Sequence, residues 1–201
     1  MVLMDDLEEL DREQAQKIQK TVIHEVILSG DEAAALKEYF PITKIDMREP
    51  ENLNTGLHLA VENNMLEVVK KLVKKKADVN MENRFGYTPM HLAASKGFTE
   101  IVTALLEYCP DLFHANNAKG YTALHLAIIY DNPEIVGMLM KVGDDPYDKT
   151  KDDENAFELA ERMGRDDIVR ILKEEWIDNT ERGKRKRAHM MECFDNLMRR
   201  K

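Results

Sequence analysis

Cysteine is scarce: the 201-residue chain has two, Cys109 and Cys193. Two thiols so far apart make neither a metal pair nor a disulfide framework. Both are read as reduced, which points to a cytoplasmic protein with the nucleus as a second destination. Aromatic residues make up 6% of the chain, too few for the core of a sandwich or barrel. No apolar run approaches the ~20 residues a membrane-spanning helix requires. The opening stretch Met1–Asp11 is acidic where a secretory leader is basic and then apolar, so secretion by a signal peptide is not expected. There is no Gly-rich phosphate loop, no Cys-x-x-Cys, no His-Glu-x-x-His and no nucleophile elbow. Nothing therefore calls for an enzyme, a cofactor, a metal or a small-molecule substrate.

What is present is charge and repetition. Charged residues account for 33% of the chain and the formal net charge is −9. Residues 182–201 hold eight basic and two acidic side chains, net +6, leaving −15 on residues 1–181. An acidic body with a basic tail suits a protein-binding module better than a nucleic-acid clamp. The string Thr88-Pro89-Met90-His91-Leu92-Ala93 returns as Thr122-Ala123-Leu124-His125-Leu126-Ala127, and earlier as Thr55-Gly56-Leu57-His58-Leu59-Ala60. Weaker copies are Thr21-Val22-Ile23-His24 and Asn155-Ala156-Phe157-Glu158-Leu159-Ala160. The fourth position falls at 24, 58, 91, 125 and 158, spacings of 34, 33, 34 and 33.

The columns of this repeat have their own chemistry. Thr21, Thr55, Thr88, Thr122 and Asn155 are good helix N-caps, and Asn155 stands three residues before Glu158 as in a capping box. The third column, Ile23, Leu57, Met90, Leu124 and Phe157, is wholly apolar. Six residues after the histidine column come Gly30, Asn64, Gly97, Asp131 and Gly164, which tolerate positive φ and so stop a short helix. A second helical pattern then begins, for example Ile101, Val102, Leu105 and Leu106. Each unit is thus a helix, a tight turn, a second helix and a loop. One unit cannot bury its own apolar face; stacked units can.

The motif and its period resemble the ankyrin-repeat family over roughly residues 20–176. The resemblance implies an all-α solenoid of helix-turn-helix units with projecting β-hairpin or loop fingers. Five repeats are expected near 21–53, 54–86, 87–120, 121–153 and 154–177. They follow an N-terminal capping helix over 1–20 and precede a basic, helical tail over 178–201. The first and last repeats are atypical, with Glu25 and Glu158 breaking the pattern. The second finger, Phe40–Asn54, is long and lacks the usual glycine.

The histidine column could be misread as a metal or acid–base site. Successive copies lie a whole repeat apart, and the resemblance implies that each His bonds its own Thr and a neighbouring loop backbone. The acidic run Asp144–Glu154 lacks the glycine and the alternating oxygens of a calcium loop. Both features are read as scaffold.

In the family the concave face is made by finger tips and first-helix ends. Transferred by register, the partner-binding candidates are Arg84, Phe85, Tyr87, Ser95, Lys96, Lys119, Tyr121, Ile129, Tyr130, Arg162 and Met163. An aromatic centre with a charged rim is how binding hot spots are built. Tyr87 and Tyr121 also have the alternative of packing on neighbouring fingers. In the tail, Lys184-Arg185-Lys186-Arg187 matches a short nuclear import signal. Met190, Phe194, Leu197 and Met198 fall at helical spacing, either to pack back on the fifth repeat or to engage a partner. Lys70, Lys71, Lys74, Lys75 and Lys76 crowd one second helix without interleaved aromatics, so nucleic-acid binding is not expected. Ala77-Asp78-Val79-Asn80 resembles the hairpin that asparagine hydroxylases modify in ankyrin proteins, making Asn80 a modification candidate.

The function expected is a non-enzymatic adaptor, scaffold or inhibitor, monomeric when alone, holding a protein partner on its concave face. An inhibitor of Rel-type transcription factors and a host-directed microbial effector are alternative forms of that reading. A regulatory subunit of an enzyme and nucleic-acid binding through the tail stand behind them.

Overall fold

The computed structural model describes residues 32, 45–108 and 120–176. Among the described residues four helix pairs follow one another: α1 (Gly56–Glu62) with α2 (Leu66–Lys74), α3 (Pro89–Lys96) with α4 (Thr99–Leu106), α5 (Ala123–Ile129) with α6 (Pro133–Val142), and α7 (Ala156–Arg162) with α8 (166–176). The sequence columns explain the boundaries. Thr55, Thr88 and Thr122 are N-caps in extended backbone, and each hydroxyl accepts the N–H of the histidine three residues on. Asn155 does the same for α7 with a full capping box to Glu158. The first helices stop where Asn64, Gly97, Asp131 and Gly164 take positive φ. Such positions close a helix by letting a terminal carbonyl find a donor, as when the Phe98 N–H reaches Ala93 O at 3.1 Å.

The first helices pack on one another in a row, α1 on α3, α3 on α5 and α5 on α7. Among the second helices α2 packs on α4 and α4 on α6. α8 continues that row: its Ile171 approaches Gly137 of α6, and Lys141 pairs with Glu175. The buried cluster runs unbroken from Leu57 to Leu172 between the two rows. Its small column, Ala60, Ala93, Ala127 and Ala160, has no exposure at all, which lets the helices approach closely.

The fingers contain no strand among the described residues; an isolated bridge between Arg48 and Thr55 is the only ladder element there. Each described finger closes instead through a tight turn. Asn83 N–H donates to Tyr87 O at 2.9 Å and Thr150 N–H to Glu154 O at 2.9 Å. The arms are too short for more than one such pair. The second finger closes without glycine: Leu53 itself takes φ +57°, and Glu49 N–H donates to Asn54 O. The expected N-terminal cap, the first-repeat motif around His24, and the C-terminal tail lie outside the described residues. No helix among the described residues is long and apolar enough to cross a membrane.

Candidate partner-binding surface

The histidine column builds the platform on which the fingers sit. His58, His91 and His125 are almost completely buried. At each, the N–H of its own Thr donates to Nδ1 at 3.1–3.2 Å. Nδ1 is therefore an acceptor, and the ring proton belongs on Nε2. His58 Nε2 donates to Tyr87 O at 2.9 Å, and His91 Nε2 donates to Tyr121 O at 3.0 Å. One histidine thus ties its own helix start to the base of the next finger. Burial holds His58 neutral by lowering its pKa to about 4; the Tyr87 carbonyl opposes that fall and the nearby Arg48 charge adds to it. His125 is also pushed down to about 4 by burial. Its Nε2 has no hydrogen-bond partner: the Asp148 carbonyl is near, without hydrogen-bond geometry. The finger that would complete it carries Asp153 at φ +63° in place of a glycine.

The fingers also hold each other. Arg84 N–H donates to Asn52 O at 2.7 Å, and the Asn83 amide donates to Asn54 Oδ1 at 3.0 Å. Asn83 Oδ1 in turn accepts the N–H groups of Phe85 and Tyr87. Gly120, at φ +79°, sits so close to the next finger that a Cβ there would meet the Lys151 nitrogen at 2.9 Å. Asn132 performs a similar function between helices: its amide donates to Ala94 O near the end of α3 at 2.8 Å, over Gly97.

On this frame the candidate residues divide into two sets. Phe85 on a finger tip and Tyr130 at the end of α5 are 52% and 59% exposed. Arg84 and Lys96 are exposed beside them in register. Tyr87 and Tyr121 are half-buried, with rings against His91 and His125 at centroid distances of 6.0 and 6.2 Å. Ile129 and Met163 lean on the core, and the Ser95 hydroxyl donates to Leu92 O within its own helix. Arg162 is exposed but engaged, forming a two-pronged pair with Glu154 at 2.6 and 2.9 Å. That guanidinium holds the Glu154 carboxyl below its usual range. Burial shifts the Glu62 carboxyl upward, and the Lys96 charge opposes that rise. Lys119 and the basic run Lys184–Arg187 lie outside the described residues. Asn80 is exposed, its N–H held by Asp78 Oδ1 at 2.9 Å.

Three features escaped the sequence reading. Asn132, as a lock between units, is the first. Asp144 occupies the column of Ala77 and is 3% exposed. Burial, with the Asp148 and Asp145 charges adding to it, pushes its pKa up to about 8. The third is an aromatic cluster of Tyr147 in the loop before α7, Phe157 on α7 and Trp176 on α8. Among the described residues no cluster of three or more His, Cys, Asp and Glu side chains could hold a metal ion.

Comparison with known proteins agrees with this construction. A putative ankyrin repeat protein of Rickettsia bellii is 38% identical over 89 residues, covering 41% of this chain and 52% of its own. Protein phosphatase 1 regulatory subunit 27 of Mus musculus is 38% identical over 73 residues, 36% of this chain and 47% of its own. The glycerophosphocholine phosphodiesterase GDE1 of Eremothecium gossypii is 40% identical over 65 residues, 32% of this chain and 5% of its own. The chain thus spans about half or less of each of these relatives. The family model for ankyrin repeats in three copies matches residues 57–150 and 114–183, together well over half of the sequence. The chain belongs to the ankyrin-repeat family, whose repeats are protein-interaction modules.

Proposed function

We propose that the protein is a non-enzymatic adaptor or inhibitor that holds a protein partner on the surface formed by its finger tips and first-helix ends. Supporting this reading is the exposure of Phe85 and Tyr130, two large aromatic side chains at a finger tip and a first-helix end. Full burial of such a ring is worth about 1.5–3 kcal/mol, and a partner recovers the share still exposed. Tyr87 and Tyr121 contribute less to contact, because their rings already pack on histidines. Arg84 and Lys96 rim the surface with positive charge, so the partner segment presents apolar and acidic side chains. A regulatory-subunit role is the second reading; it rests on the match to a phosphatase regulatory subunit.

The test is capture from source-cell lysate by wild type and by the double variant Phe85→Ala/Tyr130→Ala, followed by calorimetry with the purified captured protein. Hot-spot truncation raises Kd at least about tenfold while the thermal melt stays put, since neither side chain is buried. Equal affinity for both forms rejects the surface.

A further inference from the structure

The outward face of the α7–α8 pair differs from the face that each earlier pair turns to its neighbour. Leu57, Met90 and Leu124 are sealed at 1%, 2% and 0% exposure, whereas Phe157 in the same column is only partly covered. Val61, Ala94 and Ile128 are buried, but their counterpart is the exposed Glu161; the column of Val73 and Met140 ends in the exposed Lys173. This face is too charged to receive another unit of the same kind, yet it keeps an aromatic centre. Tyr147 stands between Phe157 and Trp176, with ring centroids 5.4 and 5.1 Å away, and is itself half exposed. The three rings line an open groove bordered by Glu158, Glu161 and Lys173. The nearest approach of Lys173 to Glu161 is 4.0 Å, so the acidic border is weakly neutralised.

We infer that this groove seats the chain's own segment 190–198. The chain leaves the described structure at Trp176, in the wall of the groove itself. Met190, Phe194, Leu197 and Met198 stand at spacings of four, three and one, one face of a helix. The thirteen intervening residues, 177–189, reach about 40 Å when extended, ample for a return. The complementary charge lies at the segment's flanks: residues 190–198 carry Glu192 and Asp195, whereas residues 182–189 and 199–201 carry eight basic side chains, against a net −3 on residues 154–176. Seating the segment covers the aromatic trio.

Trp176 is the sole tryptophan of the chain, so its emission in the full-length protein reports the groove directly. Emission maximum and acrylamide quenching are compared for wild type, Phe194→Ala/Leu197→Ala and Leu197→Asp across a dilution series. Far-UV circular dichroism and thermal melting follow the repeats in the same samples. The expected result is a red shift and steeper quenching in both variants, independent of protein concentration, with the repeat melt retained. Emission and quenching identical to wild type in both variants overturn the inference. So does shielding that is lost on dilution of wild type, which assigns the groove to a second copy of the chain.

Discussion

At the residue scale, one side chain per unit joins a helix start to the next finger, and the copies are not equal. His58 and His91 use both ring nitrogens, whereas His125 leaves a buried Nε2–H unsatisfied. Replacing His58 by Ala therefore costs roughly 1–3 kcal/mol, and His125→Ala costs less, because a buried unpaired donor disappears with the ring. Denaturant midpoints of the two variants check the order. Both His58 and His125 have pKa values near 4 in the fold, against 6.5 in the unfolded chain. The unfolded state binds more protons between those values, so their contribution is complete above pH 6.5 and is lost as the pH falls toward 4. Asp144 runs the other way: its carboxyl, raised to about 8 from 3.8, is protonated in the fold and ionised in the unfolded chain. Its contribution is complete below 3.8 and falls away as the pH rises through 8. Asp144→Ala, which copies the residue at 77, thus raises the melting temperature more at about pH 8 than at about pH 5. A gain independent of pH contradicts the buried, protonated carboxyl.

At the scale of the element, the helices were legible in the sequence because their signals are local. A Thr hydroxyl, three residues to an N–H, and a positive-φ stop six residues after the histidine column are all written in consecutive residues. The stops appear as expected at Asn64, Gly97, Asp131 and Gly164. The fingers were less legible. Asp153 is a type that tolerates positive φ, whereas closure at Leu53, a type that rarely takes it, goes with contacts distant in sequence, such as the Arg84 N–H to Asn52 O. Asn132 was unreadable for the same reason: its partner, the Ala94 carbonyl, lies 38 residues away. Gly97→Ala tests this contact. The new Cβ would sit in left-handed backbone, a cost of about 1–2 kcal/mol, and 2.7 Å from Asn132 Oδ1. Its thermal melt falls by more than that of Asn132→Ala, which loses the amide bond alone. Equal losses remove the steric part of the account.

At the scale of the whole molecule, units touch only their neighbours, so stability is a sum of pair interfaces. That architecture leaves side chains at finger tips and helix ends available for a partner, since they do not serve the core. For Tyr87 and Tyr121 the sequence left packing and exposure both open. Tyr87, Tyr121, Phe85 and Tyr130 are alike as residue types, and only the position of the histidine ring separates the packed pair from the exposed pair. The most direct measurement is hydrogen exchange of the protein with and without its captured partner. The account predicts added protection at residues 83–87 and at the end of α5 through Asp131, with α2, α4 and α6 unchanged. Protection confined to the second helices, with the finger tips unaltered, contradicts it.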